Sequence, residues 1–355
     1  MYWPHTPWRA IVFPVLAIGA AVLAGCASAP TAARLSPPAV PDGAIAIQVA
    51  SAQDDDPFAA GKAAAESLRS RMGAVPPHAI VMAECFEEET RKRAALDGMA
   101  SIFPRERIFG CATYGSFDRE RCLDLNSITL MGIGGDGIAV GTAFAPRLGI
   151  AGLTMEDDLE LLEERLHSAG EDLAGRLPKT PKDRLIIVMA DAHSPKNQFL
   201  VEGMQKATGG LFPITGGSAN KNAGQTFIYY AGRAHKDAAL ALILSGDFQV
   251  GLSGRQAKSN DAVISSAGEA VAEAMQKLDA KPLAAIAFNC AGRKGKLDRI
   301  EDELGSIVQA TGAELPIFGC YCAGEIGPAD TAEAKPGTLS SGVGWHVMFT
   351  VLGRK

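Results

Sequence analysis

Apolar runs bounded by polar stretches recur along this chain with a long period. The segments IVMAEC (80–85), IVMADA (187–192) and AIAFNC (285–290) are continuous apolar runs that end on a polar residue. That is the pattern of strands covered on both faces. After each comes a charged stretch of helical character, and then a second match: IFGCATYGS (108–116), ITGGSANKN (214–222) and IFGCYCAGE (317–325). Gly110, Gly216 and Gly319 hold the same place in these segments, so the chain repeats three times with a period of about one hundred residues. A further pair, LMGIGGDGIAVGTAFA (130–145) and LILSGDFQVGLSG (242–254), reads as strands meeting at Gly-Asp, a favoured hairpin turn.

Counted from Ile45, Ile138 and Phe248, each unit reads as strand, helix, strand, helix, strand, then closing hairpin strands. The fold class is therefore α/β, with mixed sheets built from three tandem repeats. The first helix of the first unit is predicted to start at Asp56-Pro57, a capping Asp before a proline at the first helical position. In the second unit the same slot is TMEDDLELLEERL, with Leu159, Leu162 and Leu166 on one face and acidic residues elsewhere. Units of this kind can stack or close around a pseudo-threefold axis, and the pattern admits both.

The amino end differs in character. A short apolar stretch at 11–23 follows Arg9 and runs into Leu23-Ala24-Gly25-Cys26, which resembles the bacterial lipoprotein signal. That resemblance implies cleavage after residue 25 and lipidation of Cys26; a plain membrane anchor is the other reading. Residues 26–41 are small and proline-rich, a tether. Ala27 follows the cysteine, so an outer-membrane, periplasm-facing location is expected if the source has two membranes. The remainder, 47% hydrophobic and 21% charged over the whole chain, is globular in composition. The net charge of −6 and the absence of a basic run exclude nucleic acid as an expected partner.

PITGGSANKNAGQTFIYYAGRAHKDAALALILSG (213–246) is similar to the N-terminal half of the FIST sensory domains, and PIFGCYCAGEIGP (316–328) resembles the Gly-Glu-Ile-Gly-Pro signature of their C-terminal half. RIFGCATYGSF (107–117) resembles the stretch that precedes a Gly-Glu in the N-terminal half. The resemblance divides the chain into a FIST N-like part (42–247, two units) and a FIST C-like part (248–355, the third). It implies a sensor module that binds a small, amino-acid-like molecule and passes a signal to a protein partner. Ser116 stands where the first Gly-Glu has its Glu, and no output domain follows Lys355, so ligand binding is implied more firmly than direct signalling.

Ligands of open α/β sheets lie beyond the carboxyl ends of the strands. The expected cleft is floored by Gly110, Gly216, Gly319 and Gly324 and rimmed by Tyr114, Asp191, Ser218, Asn220, Tyr321 and Glu325, glycine allowing a ligand to approach the main chain. Glu325 either pairs with a ligand ammonium or accepts local backbone N–H groups. Glu84, Asp191 and Asn289 mark equivalent strand ends, where polar residues also serve as helix caps. Beyond Cys26, six cysteines remain; buried thiols, a disulfide or a metal site are all open, and Cys320 and Cys322 are expected on opposite faces of their strand, which disfavours a bond between them.

Gly132 to Gly137 fits G-x-G-x-x-G, but IAVGTAF after it continues as a strand, which removes the dinucleotide reading. Ser218 has Asp191 and His193 in the same unit, so a hydrolase or transferase using Ser218 or a cleft cysteine such as Cys320 is the alternative function. No cofactor is expected; haem, which would require His78, His167, His193, His235 or His346 as an axial ligand, is a minor reading, and an envelope scaffold is a third. The leading expectation is a lipid-anchored, non-catalytic binding protein for a small polar metabolite.

Overall fold

The computed structural model describes residues 43–222, 224–330 and 333–354. The apolar stretch at 11–23, Cys26 and the tether lie outside them. No helix among the described residues is long and apolar enough to cross a membrane.

The first unit runs β1 (Ala46–Gln53), α1 (Pro57–Met72), β2 (Pro77–Cys85), α2 (Glu89–Ala100), β3 (Ile108–Ala112), β4 (Ser116–Phe117), β5 (Cys122–Leu123) and β6 (Ser127–Gly134). The second repeats this as β7 (Ile138–Ala145), α3 (Leu159–Arg176), β8 (Asp183–Ala190), α4 (Asn197–Thr208), β9 (Ile214–Ser218), β10 (Ile228–Tyr230), β11 (Arg233–His235) and β12 (Ala239–Gly246). The third is β13 (Gln249–Gln256), α5 (Asn260–Gln276), β14 (Lys281–Cys290), the short α6 (Ala291–Lys294), α7 (Ile300–Thr311), β15 (Ile317–Cys322), β16 (Glu325–Gly327), β17 (Ser341–Val343) and β18 (His346–Arg354). As the sequence predicts, Asp56 caps α1, its carboxylate accepting the Phe58 N–H ahead of which Pro57 stands. On α3, Leu162 and Leu166 are buried, while Leu159 faces solvent because the helix has only just begun there.

These elements build three six-stranded mixed sheets, ordered β1-β6-β2-β3-β10-β11, β17-β16-β9-β8-β12-β7 and β13-β18-β14-β15-β4-β5. The central pairs β2/β3, β8/β9 and β14/β15 are parallel. Each sheet ends in a hairpin lent by another unit. The first unit gives β4–β5 to the third, the third gives β16–β17 to the second, and the second gives β10–β11 to the first. Three such loans form a cycle, so the units close on themselves and do not stack.

Alternation along the middle strands explains why their sequences read as unbroken apolar runs. Val81 and Ala83, Ile187 and Met189, and Ile286 and Phe288 meet in one central core shared by all three sheets. Their neighbours turn outward to separate cores under the helices: Ile80 and Met82 below α1 and α2, Ile186 and Val188 below α3 and α4, Ala285 and Ala287 below α5 and α7. Both faces of each strand are covered, as parallel strands require.

Two expectations change here. The Gly-Asp junctions are not hairpin turns: β6 and β7 belong to different sheets, as do β12 and β13, so each junction carries the chain from one unit to the next. Gly135 makes the first of these turns at φ +99, where an added Cβ would also lie 2.3 Å from the Ala44 carbonyl. Cys320 and Cys322 point to the same side of β15, since residues two apart share a face, and their sulfurs stand 3.6 Å apart as free thiols in the central core.

The repeated glycine also acquires a different role. Gly110, Gly216 and Gly319 are buried and pair with the lent strands, opposite Tyr229, Ile326 and Phe117 respectively. A Cβ would fall 2.1 Å from the Met82 carbonyl oxygen at Gly110, 1.8 Å from that of Val188 at Gly216 and 2.1 Å from the Phe117 ring at Gly319. Gly319 thus seats the exchanged hairpin directly, while Gly110 and Gly216 let β3 and β9 lie close against β2 and β8 of their own units. Gly319→Ala should therefore lower stability by about 2 kcal/mol in urea unfolding through overpacking against Phe117. Gly305→Ala, on α7 where no atom lies within 4 Å, should be neutral or stabilising; equal losses at both positions would contradict the seating role.

Candidate functional site

The register of the parallel pairs places Met82, Val188 and Ala287 beside the three glycines, so Glu84, Ala190 and Asn289 are the equivalent strand ends. Asp191 belongs one residue further on, with Cys85 and Cys290, which corrects the expected alignment. Glu84 and Asn289 face the helices and fasten them. Glu84 is buried with Lys92, 2.9 Å from its ammonium, and accepts the Phe86 N–H and the Tyr229 hydroxyl of the lent β10. Asn289 donates to Glu303 and accepts from Arg293, and Tyr321 donates its hydroxyl to Glu303 at 3.2 Å. Tyr321 is thus a buried tie between β15 and α7, away from any rim.

Just before β6, β12 and β18 the chain makes the same turn three times. Asn126, Asp237 and Trp345 adopt φ of 58, 50 and 64, a left-handed conformation unusual for any residue but glycine. Their carbonyls accept the N–H groups of Asp54, Leu148 and Ala257. What surrounds this turn decides whether the strand end is open. In the first unit Asn126 bonds to Asp55 at 2.9 Å and receives Arg91 at 3.0 Å, closing the space. In the third the Trp345 indole lies over Gly292, where a Cβ would come within 3.2 Å of the ring, with Lys258 and Lys296 each 5.7 Å from its centroid.

The second unit alone keeps an opening at this turn. Its side chain there is the small Asp237, and the loop between β7 and α3 spans residues 146–158, against 54–56 and 257–259 in the other units. This loop, the β8–α4 connection and residues 219–222 and 224–227 border a cavity of about 380 Å³. Asp191, His193, Lys196, Lys221, Lys236 and Asp237 supply its charges, with Ile150, Gln225 and Thr226 among the remaining walls. Asn222 pins the 219–227 loop across the unit boundary by donating to the carbonyls of Thr113 and Phe86.

Most of these charges are committed. Asp237 accepts the N–H groups of Gly149 and Ile150 at 2.8 and 3.0 Å, and its own N–H goes to Asp191 Oδ2 at 2.8 Å. Lys196 donates to the Leu153 carbonyl, and Lys236 pairs with Glu89 of the first unit at 2.9 Å. Lys221 has no partner among the described residues, and Nε2 of His193 is buried without one. Burial holds the His193 imidazole below its ordinary range, against the opposing pull of Asp191 and of a hydrogen bond to the Ala219 backbone; Lys196 and Lys221 push it down further. At neutral pH the cavity thus carries an uncharged imidazole, with the exposed Lys221 ammonium at its edge.

The sequence-predicted residues scatter around this cavity. Asp191 lines it. Ser218 is fully buried and donates to the Ala192 carbonyl at 2.7 Å, so no Ser–His–Asp relay is formed with His193. Asn220, half-buried, donates to Asn222; Tyr114 is exposed, with the ammonium of Lys294 4.9 Å from its ring centroid. Gly324 is buried at φ +151 against Ser194 and Asn197. Glu325 is 0% exposed: Oε2 accepts the His346 N–H at 3.0 Å, Oε1 has no partner, and burial pushes the carboxyl up to about 8. An ammonium ligand has no route to it through this packed interior, and at neutral pH the group is largely a neutral acid. Among the described residues no group of three His, Cys, Asp or Glu is placed to hold a metal.

Sequence reasoning named His193 only as a triad member or haem ligand and passed over Lys196, Lys221, Lys236 and Asp237. The available signal was the extra length between β7 and α3, together with the KNAGQT loop that only the second unit carries.

Comparison with known proteins gives a family match: the FIST N domain model matches residues 79–273, more than half of the chain. No curated protein matches it. Among solved structures, a cyanuric acid hydrolase described as an evolutionary innovation by structural concatenation aligns at a TM-score of 0.45 and 10% identity, covering 88% of this chain and 100% of that one. The cyanuric acid hydrolase of A. caulinodans gives 0.44 and 12%, with the same coverage. PurL of T. maritima complexed with FGAR gives 0.27 and 11%, over 87% of this chain and 72% of that one.

The buried Glu325 has a measurable consequence. Its folded value near 8 lies above that of an unfolded glutamate, so the folded state holds a proton that the unfolded state releases. Its contribution to stability is complete below about pH 4.5 and declines by about 1.4 kcal/mol per pH unit up to about pH 8. Urea midpoints of the native protein should fall relative to Glu325→Gln across that window and run parallel above it. A constant difference from pH 5 to 8 would show that the carboxyl ionises freely in the fold.

Proposed function

The chain belongs to the FIST N domain family, and from that premise we propose that it is a FIST-type sensory protein that binds a small polar metabolite, such as an amino acid, in the cavity of the second unit. The observation that carries this reading is the asymmetry of the three strand ends: side chains fill two of them, and the third is walled by two longer loops and lined with unpaired polar groups. A volume of about 380 Å³ suits a ligand of amino-acid size. Asp191 has Oδ1 to offer an ammonium, and Lys221 a carboxylate.

The proposal extends to the rest of the chain. The third unit, with its GEIGP strand β16, is the FIST C-like part. Cys26 carries lipid and tethers the protein to the bacterial envelope, on the periplasmic face of the outer membrane in a cell with two membranes. The described chain begins at Gly43 beside the unit junction at Gly137, at the amino ends of the parallel strands. The cavity lies at their carboxyl ends, the pole opposite Gly43.

A screen of amino acids by thermal unfolding should find at least one that stabilises the protein, by about 2.7 kcal/mol at a hundred times its dissociation constant. Asp191→Asn should weaken the effect and Ser218→Ala leave it intact. A complete screen without a shift would overturn the binding role, and turnover of an ester or amide abolished by Ser218→Ala would establish a hydrolase instead.

A further inference from the structure

We infer that the cavity of the second unit is an oxyanion site, in which Lys221 and the Nε2 edge of His193 together hold a carboxylate or phosphate group. The inference rests on the proposed binding role and specifies its recognition chemistry. It follows from counting which polar groups of the cavity are already satisfied. Both oxygens of Asp237 accept backbone N–H groups, Asp191 has spent one oxygen on the Asp237 N–H, and Lys196 and Lys236 are engaged with the Leu153 carbonyl and with Glu89. What remains is an ammonium and a ring nitrogen: Lys221 is exposed at the cavity mouth with no protein partner among the described residues, and Nε2 of His193 is buried without one. A buried polar atom with no partner is costly unless a ligand satisfies it. A group with two or more acceptor oxygens answers the ammonium and, once the ring takes up a proton, the His193 Nε2–H as well, and charge-assisted bonds of this kind are the stronger ones.

The same geometry couples binding to protonation. His193 is faced by Asp191 from the strand end, Lys196 from the start of α4, Lys221 from the 219–227 loop, and Lys236 and Asp237 from the turn before β12; the 146–158 loop contributes the uncharged Ile150, Ala151 and Gly152. Burial first, and then the lysines, hold the ring below its ordinary range. A bound oxyanion favours the imidazolium and its second N–H donor. Binding therefore takes up a proton wherever the pH lies between the ring's empty and occupied values, and affinity rises as pH falls.

The test uses sodium acetate and inorganic phosphate as bare probes, titrated calorimetrically into the full-length protein from pH 5.5 to 8, together with any amino acid found to bind. Acetate or phosphate should bind more tightly at the acid end, with proton uptake seen as a dependence of the heat on the ionisation enthalpy of the buffer. Lys221→Met should weaken binding by about tenfold or more. His193→Gln, which keeps a donor but cannot titrate, should retain binding at pH 8 and lose the pH dependence, its folded state being checked by thermal unfolding. Lys182→Met, at the opposite pole, should change nothing. Anions that fail to bind, or that bind equally well to Lys221→Met or with a flat pH profile, would overturn the oxyanion site. An amino acid that binds independently of Lys221 and of pH would overturn it while leaving the binding role standing. Bare anions held through Lys221 when no amino acid binds would uphold the site and overturn the amino-acid reading.

Discussion

Everything in this fold depends on three small hairpins crossing three glycines. Phe117 of the first unit lies on Gly319 of the third, Ile326 of the third pairs with Gly216 of the second, and Tyr229 of the second pairs with Gly110 of the first. None of the three sheets is complete without a strand pair from another unit, and none of the central strands could cover its inner face alone. The exchange extends beyond the sheets. Tyr114 N–H reaches the Tyr321 carbonyl, Ala323 N–H that of Ser218, and Asn220 N–H that of Ala112, so the loops at the strand ends interlock in the same direction around the axis. Backbone bonds between units supply what short, isolated strands cannot.

This constraint explains which parts of the architecture were legible in the sequence. The repeat, the α/β class and the start of α1 are local or periodic properties, visible in runs such as LIIVMA and in the Asp56-Pro57 pair. Pairing between units is not local. Nothing in IFGCYCAGE says that its glycine meets an aromatic ring two hundred residues away in sequence, and so the glycine resembled the floor of a cleft. The Gly-Asp junctions misled for a related reason: a tight turn fits a hairpin and a change of sheet equally well until partners are assigned. For Cys320 and Cys322 the period-two rule was sufficient to place both on one face.

The candidate site was legible only in part. The cavity lies at strand carboxyl ends, and Asp191 lines it, but Glu325, the most conspicuous carboxylate, is buried on the lent hairpin itself. The cavity arises from a departure from symmetry. Three equivalent left-handed turns hold Asn126, Asp237 and Trp345; a hydrogen-bonded network closes the first, an indole closes the third, and the second remains open because its flanking loops are longer. A repeat builds the scaffold, and side-chain divergence at one of three equivalent positions leaves the cavity that is the proposed ligand site, with Nε2 of His193 buried without a partner and Lys221 exposed beside it.

The most direct test of this account is a crystal structure of the protein with the amino acid that stabilises it most. The account predicts ligand density in the second unit, with a carboxylate against Lys221 and His193 and the ammonium toward Asp191, while Trp345 and Asn126 stay in place over the other two strand ends. Density beside Glu325, or at the turn of the first or third unit with the second one empty, would contradict it.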